Sequence, residues 1–204
     1  MKNLKVTEFA EITASKNPVP GGGSIAALCG GLGAALVEMV SNLTIGNKKY
    51  TSVEAKMIIS RDKAKILRDE LLEDIEKDSD AFTKVMDAFK MKKDTDEEKK
   101  ARSEAIQKGL KNAALVPMNV AEKSYQVMEF SSDVVKFGNK NAVTDGMVSA
   151  MMARTAVLSA LLNVKINLSS IKDETFVRKM TEKVDLLNTR VKIKETEILN
   201  SVTL

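Results

Sequence analysis

The stretch "PVPGGGSIAALCGGLGAAL", Pro18–Leu36, joins a proline–glycine loop to a long run of small apolar residues. Proline restricts the residue before it to extended backbone and glycine frees the chain, so residues 17–23 are expected to be irregular. Ser24 is then well placed as the N-cap of a helix from Ile25 to about Leu43. This stretch therefore predicts a loop that ends at the start of an apolar helix.

The small side chains of this helix recur at helical spacing. Ala26 and Gly30 are four residues apart, as are Ala27 and Gly31, which leaves one stripe of the helix nearly bare. A bare stripe allows another helix to approach closely, within a subunit or across a dimer, and requires no ligand. Because the apolar run stops at Glu38, it is shorter than the roughly 20 residues of a membrane span. We therefore expect a buried helix and no membrane contact.

The rest of the chain also has the helical period. A short helix is expected over residues 7–16, and longer ones over 53–90, 96–130, 144–162 and 173–200. Pro117 should kink or divide the helix over residues 96–130 near Leu115. No segment alternates as a strand does, and no repeat or linker divides the chain. The sequence predicts one all-α domain over residues 1–204, an antiparallel bundle of long helices.

Composition excludes several classes of protein. The chain is 44% hydrophobic and 29% charged, with a net charge of +4, as in ordinary soluble domains. Its lysines alternate with acids and no basic segment is rich in aromatics, which argues against nucleic-acid binding. The N-terminus has no signal-peptide pattern, so a cytoplasmic location is expected. The single cysteine, Cys29, lies in the apolar run and is expected to be an unreactive buried thiol.

The chain contains no histidine. Ser-His-Asp and Cys-His catalysis are therefore excluded, and with one cysteine a zinc site is not expected. Acid–base chemistry would have to come from aspartate, glutamate, lysine or tyrosine with a shifted pKa.

Asp78 is the first candidate, because it interrupts the apolar stripe of the helix over residues 53–90, which continues through Phe82 and Phe89 and is expected to be buried. A carboxylate on such a stripe must be paired or hydrogen-bonded. It could pair with a cation such as Arg154 or cap a helix. Alternatively, it lines a polar cleft where burial raises its pKa.

The glycine loop is the second candidate. No lysine precedes Ser24 and no strand precedes Gly21, Gly22 and Gly23, which argues against a P-loop or a Rossmann fingerprint. The loop is either a tight turn with a serine cap or a place where bare backbone N–H groups meet a ligand.

Two further polar groups stand out. Asn139, Asn141 and Asp145 gather around the expected start of a helix, where Asp145 is either a routine N-cap or part of a site for a heterocycle rich in donors and acceptors. In "TIGNKKY", Lys48 and Lys49 could hold carboxylates and Tyr50 could stack or donate, or the segment is a plain solvated loop.

Five ordered segments resemble one known family. They are the stretch from Pro18 to Tyr50, "DSDAFTKVMDAF", "AALVPMNV", "GNKNAVTDG" and "LLNVKINL". Together they resemble the cyclodeaminase domain of formiminotransferase-cyclodeaminase, whose family includes stand-alone methenyltetrahydrofolate cyclohydrolases. The resemblance runs from about Glu8 to Leu168. The "TDG" and "GNKKY" segments depart slightly from the family pattern, and the second departure could weaken binding of a polyglutamate.

The resemblance implies a homodimeric all-helical enzyme that acts on tetrahydrofolate derivatives without a metal or nucleotide cofactor. It implies that Asp78 and Asp145 perform the acid–base steps, and that Asn139 and Asn163 hold the pterin or orient a carboxylate. Lys48 and Lys49 would suit the glutamate tail.

We expect these groups to meet in one cleft, unless a homodimer joins them across an interface. The resemblance does not separate a cyclodeaminase, which we favour, from a cyclohydrolase. A non-catalytic folate-binding module also stays open.

Overall fold

The structure, a computed structural model, describes residues 1–203 as helices and connecting turns, with no β-strand in that part of the chain. The α-helices are α1 (Val6–Thr13), α2 (Gly22–Asn42), α3 (Glu54–Lys90), α4 (Asp96–Phe137), α5 (Val143–Leu168) and α6 (Glu174–Leu199). Short 3-10 helices at Lys48–Val53 and Lys140–Ala142 follow α2 and α4. The predicted all-α class is confirmed.

Helix α2 packs against α3, α4 and α5 through its small residues. A Cβ atom at Gly30 would lie 2.5 Å from the Ser124 hydroxyl of α4, and one at Gly33 would lie 3.2 Å from the Ser149 carbonyl of α5. No larger side chain fits these positions without displacing a neighbour. The close approach predicted from the glycine and alanine spacing is therefore present within the chain.

Two helices begin elsewhere than predicted. Helix α2 starts at Gly22 with Gly21 as its N-cap, so Ser24 lies inside the first turn and is not the N-cap. Helix α5 starts at Val143, so Asp145 lies inside its first turn and does not cap it. In both cases the first turn forms earlier than the cap-forming side chain suggested, and the N-cap positions are taken by Gly21 and Ala142, neither of which caps through a side chain.

Pro117 does not divide the third long helix. Helix α4 runs unbroken from Asp96 to Phe137 with Pro117 buried inside it, so the predicted end near residue 130 is wrong. Helix α5 is also longer than predicted and continues through Asn163 and Asn167. Packing on both sides overrides the local cost of a helical proline.

On helix α3, the burial of several side chains differs from the prediction. Phe82 and Phe89, predicted to be buried, are 37% and 46% exposed. Asp74, which is not among the predicted site residues, is almost inaccessible. Its carboxylate accepts from Lys77 at 2.6 Å and from Lys123 of α4 at 2.8 Å. The buried acid of this helix that pairs with lysines is therefore Asp74, not Asp78.

Two segments, Gly22–Asn42 and Lys140–Leu168, are long and apolar enough to cross a membrane by length and composition alone. They contain the central helices α2 and α5, which pack extensively against each other. The core of a soluble bundle satisfies the same criteria.

The single cysteine, Cys29, lies on α2 and is free and half-buried. Burial raises the pKa of its thiol.

Candidate active site

The start of α2 is bonded to the middle of α3 through one carboxylate. The hydroxyl of Ser24 donates a 2.9 Å hydrogen bond to Oδ2 of Asp78, and the Ser24 backbone N–H also bonds to this carboxylate. Such backbone groups at a helix start have no partner within the helix and favour an anion. Asp78 therefore caps α2 from a neighbouring helix, and Arg154 instead pairs with Glu195.

Gly23 makes this contact possible. A Cβ atom built on Gly23 would lie 2.0 Å from Oδ1 of Asp78, which is far inside van der Waals contact. Only glycine lets the carboxylate rest against the backbone here. The glycine loop is thus shaped around Asp78.

Burial raises the pKa of the Asp78 carboxyl above its ordinary value of 3.8. The two hydrogen bonds from Ser24 lower it and offset only part of that effect. A carboxyl group with a raised pKa exchanges protons more readily near neutral pH than an ordinary aspartate does. Asp78 has the electrostatic setting of a general acid or base.

A cavity of about 350 Å³ opens beside Asp78. Its walls are the loop before α2, the Asp78 turn of α3, and the C-terminal part of α5. Polar atoms are contributed by Asp78, Asn163, Asn167 and the glycine backbone, and apolar surface by Phe82 and Ile166. One carboxylate and two amides in an otherwise apolar cleft form the kind of site that binds a small molecule.

Asn167 and Phe82 also line this cavity, and neither is among the predicted site residues. The i, i+4 spacing of Asn163 and Asn167 would have indicated a shared helix face, had α5 been predicted to extend that far. Phe82 was placed in the core because its position continues the apolar stripe. Its partial exposure is explained by the cavity beside it.

The remaining predicted residues lie elsewhere. At the C-terminal end of α2, the Asn139 side chain donates to the Leu43 carbonyl at 3.0 Å and accepts from the Asn141 backbone at 3.0 Å. The Tyr50 hydroxyl accepts from the Lys140 backbone at 2.9 Å. This second polar cluster ties the loop after α2 to the loop after α4.

Two lysines and one acid border the second cluster. Lys48 and Lys49 are exposed, and Asp145 is partly exposed in the first turn of α5. None of the three forms a salt bridge within residues 1–203. They are free to meet a charged group from outside the chain.

Asp145 and Asn163 lie about five turns apart on α5, which corresponds to about 27 Å. Asp78 lies with Asn163, because Gly22 and Gly23 contact Asn163 and Asp78 respectively. The expectation of a single cleft within one chain is therefore wrong, because α2 and α5 are unbroken helices with one polar cluster at each end.

Two larger grooves lie between α3 and α4, with volumes of about 490 and 470 Å³. Neither is lined by any predicted site residue. No group of three or more acidic or cysteine side chains in residues 1–203 is arranged to hold a metal ion. The Asp78 cavity is the one that combines a perturbed acid with convergent polar groups.

These features define a class: an all-α protein, free of histidine, with an acid–base cavity at the start of a glycine-rich helix. The family model described as formiminotransferase-cyclodeaminase matches residues 5–186. The chain therefore belongs to the formiminotransferase-cyclodeaminase family.

Individual relatives agree with this assignment. A methenyltetrahydrofolate cyclohydrolase of Methylorubrum extorquens is 39% identical, over 90% of this chain and 88% of that protein. The formimidoyltransferase-cyclodeaminase of Rattus norvegicus is 30% identical over 95% of this chain, which spans only 36% of that longer protein. The crystal structure of formiminotetrahydrofolate cyclodeaminase from Thermotoga maritima superposes with a TM-score of 0.86 at 31% identity, covering 97% and 94% of the two chains.

Proposed function

We propose that this protein is a folate one-carbon enzyme that converts 5-formiminotetrahydrofolate to 5,10-methenyltetrahydrofolate and ammonia. The observation that carries the proposal is Asp78, a carboxyl group with a raised pKa held at the wall of a ligand-sized cavity. The structural similarity to a cyclodeaminase over nearly the whole chain supports it.

The reaction needs one proton to move between two nitrogens. N10 of the folate attacks the formimino carbon on N5, and the resulting tetrahedral carbon carries an amino group and a protonated N10. Asp78 accepts the proton from N10 and returns it to the amino group. Ammonia then leaves with its bonding pair, and the bridging carbon becomes a cationic amidinium. A carboxyl group with a raised pKa suits both halves of this transfer.

A cyclohydrolase is the second candidate, favoured by the 39% identity to such an enzyme over most of both chains. Water would add to the bridging carbon and lose a proton to Asp78. The bond from N5 to that carbon would then break with its electron pair going to N5, which takes the proton from Asp78. The hydroxyl would lose its remaining proton to solvent as the formyl C=O forms, and 10-formyltetrahydrofolate would be released. The tetrahedral intermediate and the required carboxylate are the same in kind as in the deamination.

We also propose a homodimer in which α2 packs against its own copy. The outer face of α2 exposes Leu32, Met39 and Leu43 at 48%, 40% and 49%. Val148 and Met151 of the neighbouring α5 are comparably exposed. Exposed large apolar side chains on two packed helices are typical of an interface.

An antiparallel pairing of α2 with its copy would complete the site. With Leu32 near the two-fold axis, the C-terminal end of α2 in one subunit would lie beside the glycine loop of the other. Asp145 and Asn139 would then face the partner cavity, and Lys48 and Lys49 could reach the glutamate tail of a folate bound there. This arrangement accounts for two polar clusters at opposite ends of one helix.

The enzyme of this proposal is soluble and cytoplasmic. Its partners are a folate and a second copy of the chain, with neither nucleic acid nor membrane. Tetrahydrofolate enters as substrate, and the steps written above use proton transfers alone, with no cofactor or metal.

Purified protein given 5-formiminotetrahydrofolate should release ammonia as methenyltetrahydrofolate absorbance appears, and Asp78→Asn should lose both signals. Hydrolysis of added methenyltetrahydrofolate above the spontaneous rate, without ammonia release from the formimino compound, would assign the cyclohydrolase. Folate binding with neither reaction would leave a non-catalytic module and contradict the proposal.

The shared site has its own test. Asp78→Asn and Asp145→Asn homodimers should each be inactive. Mixed dimers of the two variants should regain activity, because one of their two sites then contains both native aspartates. If each site lies within one subunit, mixing restores no activity.

The dimer interface is tested separately. Leu32→Glu should yield monomers in sedimentation, whereas Ile193→Glu, at a comparably exposed position on α6, should leave the dimer intact.

A further inference from the structure

Pro117 leaves one carbonyl of α4 without its helical partner. A proline has no backbone N–H, so the carbonyl four residues earlier, that of Ala113, cannot receive the usual helical hydrogen bond. The Asn167 side chain of α5 supplies the missing donor, because its Nδ2 atom lies 3.0 Å from the Ala113 oxygen. A sequence feature on one helix therefore holds a side chain of another.

The amide groups of the cavity are held in one orientation by such bonds. Asn167 Nδ2 also donates to the Asn163 carbonyl at 2.8 Å, and Asn163 Nδ2 donates to the Ser159 carbonyl at 2.9 Å. Asn167 Nδ2 thus uses both of its N–H groups on backbone, and Asn163 Nδ2 uses one of its two. Neither Oδ1 atom accepts a hydrogen bond from any residue in the range 1–203, so both oxygens are available to a ligand.

The cavity therefore presents acceptors and a negative charge. Its side-chain polar groups are the two amide oxygens, one remaining N–H of Asn163 and the Asp78 carboxylate, and no lysine or arginine lines it in the described part of the chain. Hydrogen bonds and charge of this kind favour a ligand that carries N–H donors or a delocalised positive charge, and they disfavour an anion.

We infer that Asn167 is a ligand-binding residue, that Pro117 positions it, and that the cavity selects the cationic amidinium form of the one-carbon unit over neutral formyl derivatives. This inference rests on the proposed function and adds the charge state that the site recognises. A substrate whose one-carbon unit is cationic binds through Asp78 and the amide oxygens. In the alternative cyclohydrolase reaction, the neutral formyl product would lose that attraction and leave.

Charge selection is tested by binding alone. Wild-type protein should bind 5,10-methenyltetrahydrofolate at least about tenfold more tightly than 5-formyltetrahydrofolate, which has the same pterin and tail but a neutral one-carbon unit. Asp78→Asn should reduce that ratio. Equal affinities for the two compounds in the wild type would overturn the selection. If neither folate binds, the proposed function itself fails.

The positioning role of Pro117 is tested by Pro117→Ala. The restored N–H at position 117 competes for the Ala113 carbonyl and releases Asn167. We expect KM for the folate to rise about tenfold with kcat little changed, while the helix gains a hydrogen bond. Asn167→Ser should raise KM similarly, and the double variant should be no worse than Asn167→Ser alone. As a control, Asn112→Ser should leave KM unchanged, because Asn112 lies on α4 with Pro117 but lines a different groove.

Additive effects of the two substitutions, or an unchanged KM in an active Pro117→Ala enzyme, would overturn the assignment. One readout is independent of turnover. The side-chain amide protons of Asn167 should exchange slowly with solvent in the wild type and faster in Pro117→Ala, and equal exchange rates would show that Pro117 does not hold this side chain.

Discussion

The hydroxyl of Ser24 lies 2.9 Å from Oδ2 of Asp78, so that a residue in the first turn of α2 donates to a carboxylate in the middle of α3. This bond joins the glycine loop to the candidate catalytic acid. It also acts against burial, because it stabilises the ionised carboxylate while the apolar surroundings destabilise it. The first two predictions below follow from this opposition.

Ser24→Ala removes a bond that lowers the pKa of Asp78, so that pKa should rise further. If Asp78 acts as the base, activity falls as pH drops through its pKa. The acidic limb of the pH profile of kcat/KM should therefore move to higher pH in Ser24→Ala. Ser60→Ala, which removes a buried hydroxyl of α3 that has no partner in residues 1–203, should not move it. An unmoved acidic limb in Ser24→Ala would assign that limb to another group.

Asp78→Asn should change how stability depends on pH. Because the folded pKa of Asp78 is raised above 3.8, the native state holds a proton that the unfolded state has lost just above that pH. The contribution of Asp78 to stability is therefore greatest below about pH 3.8 and declines as pH rises to the folded pKa. Urea denaturation across this range should show the wild type losing stability relative to Asp78→Asn with rising pH. A gain over that range would mean that the pKa is lowered.

Gly23→Ala should destabilise the protein by about 1–3 kcal/mol, because the new Cβ atom would lie 2.0 Å from Oδ1 of Asp78 and the carboxylate would have to move. Gly21→Ala is the matched control in the same loop, since its Cβ would lie 3.5 Å from the nearest atom. Its cost should stay below about 1 kcal/mol, that of exchanging an N-cap glycine for alanine. Chemical denaturation measures both, and equal costs would contradict the steric explanation.

Gly30→Ala and Ser124→Ala should compensate each other. A Cβ at Gly30 would lie 2.5 Å from the Ser124 hydroxyl, which is buried and has no hydrogen-bond partner in the described chain. Gly30→Ala alone should cost about 1–3 kcal/mol, while Ser124→Ala removes both the clash and an unpaired polar atom. A double-mutant cycle should give a favourable coupling of at least about 0.5 kcal/mol. Additive costs would show that Leu71, also near this Cβ, sets the limit.

Lys123→Met should destabilise the protein by about 1–3 kcal/mol, because Asp74 is nearly inaccessible and would keep only the exposed Lys77 as its partner. Lys183→Met breaks a comparable 2.8 Å pair with Glu122 at the surface, where the cost should stay below about 1 kcal/mol. Denaturation midpoints at constant pH separate the two, and a negligible cost for Lys123→Met would mean that Lys77 alone satisfies Asp74.

Helical class, most helix positions and the position of Asp78 at a polar cleft could be predicted because they depend on patterns within one segment. Apolar spacing marked α3 and α6, and a carboxylate on an apolar stripe marked Asp78. The predictions were wrong where contact with a second segment of the chain determines the local structure. Pro117 stays helical because packing on both sides holds it and Asn167 satisfies the freed carbonyl. Ser24 is not an N-cap because Asp78 caps the helix instead.

The candidate site divides in the same way. The sequence by itself determined which residue types are available: no histidine, one cysteine, glycines before an apolar helix, and polar residues grouped in two loops. Only the tertiary structure decided which of these meet, because the helices α2 and α5 hold Asp78 and Asn163 at one end of the bundle and Asn139 and Asp145 at the other. Residue identity is a local property of the chain, whereas distance between side chains is set by the length and packing of the helices that carry them.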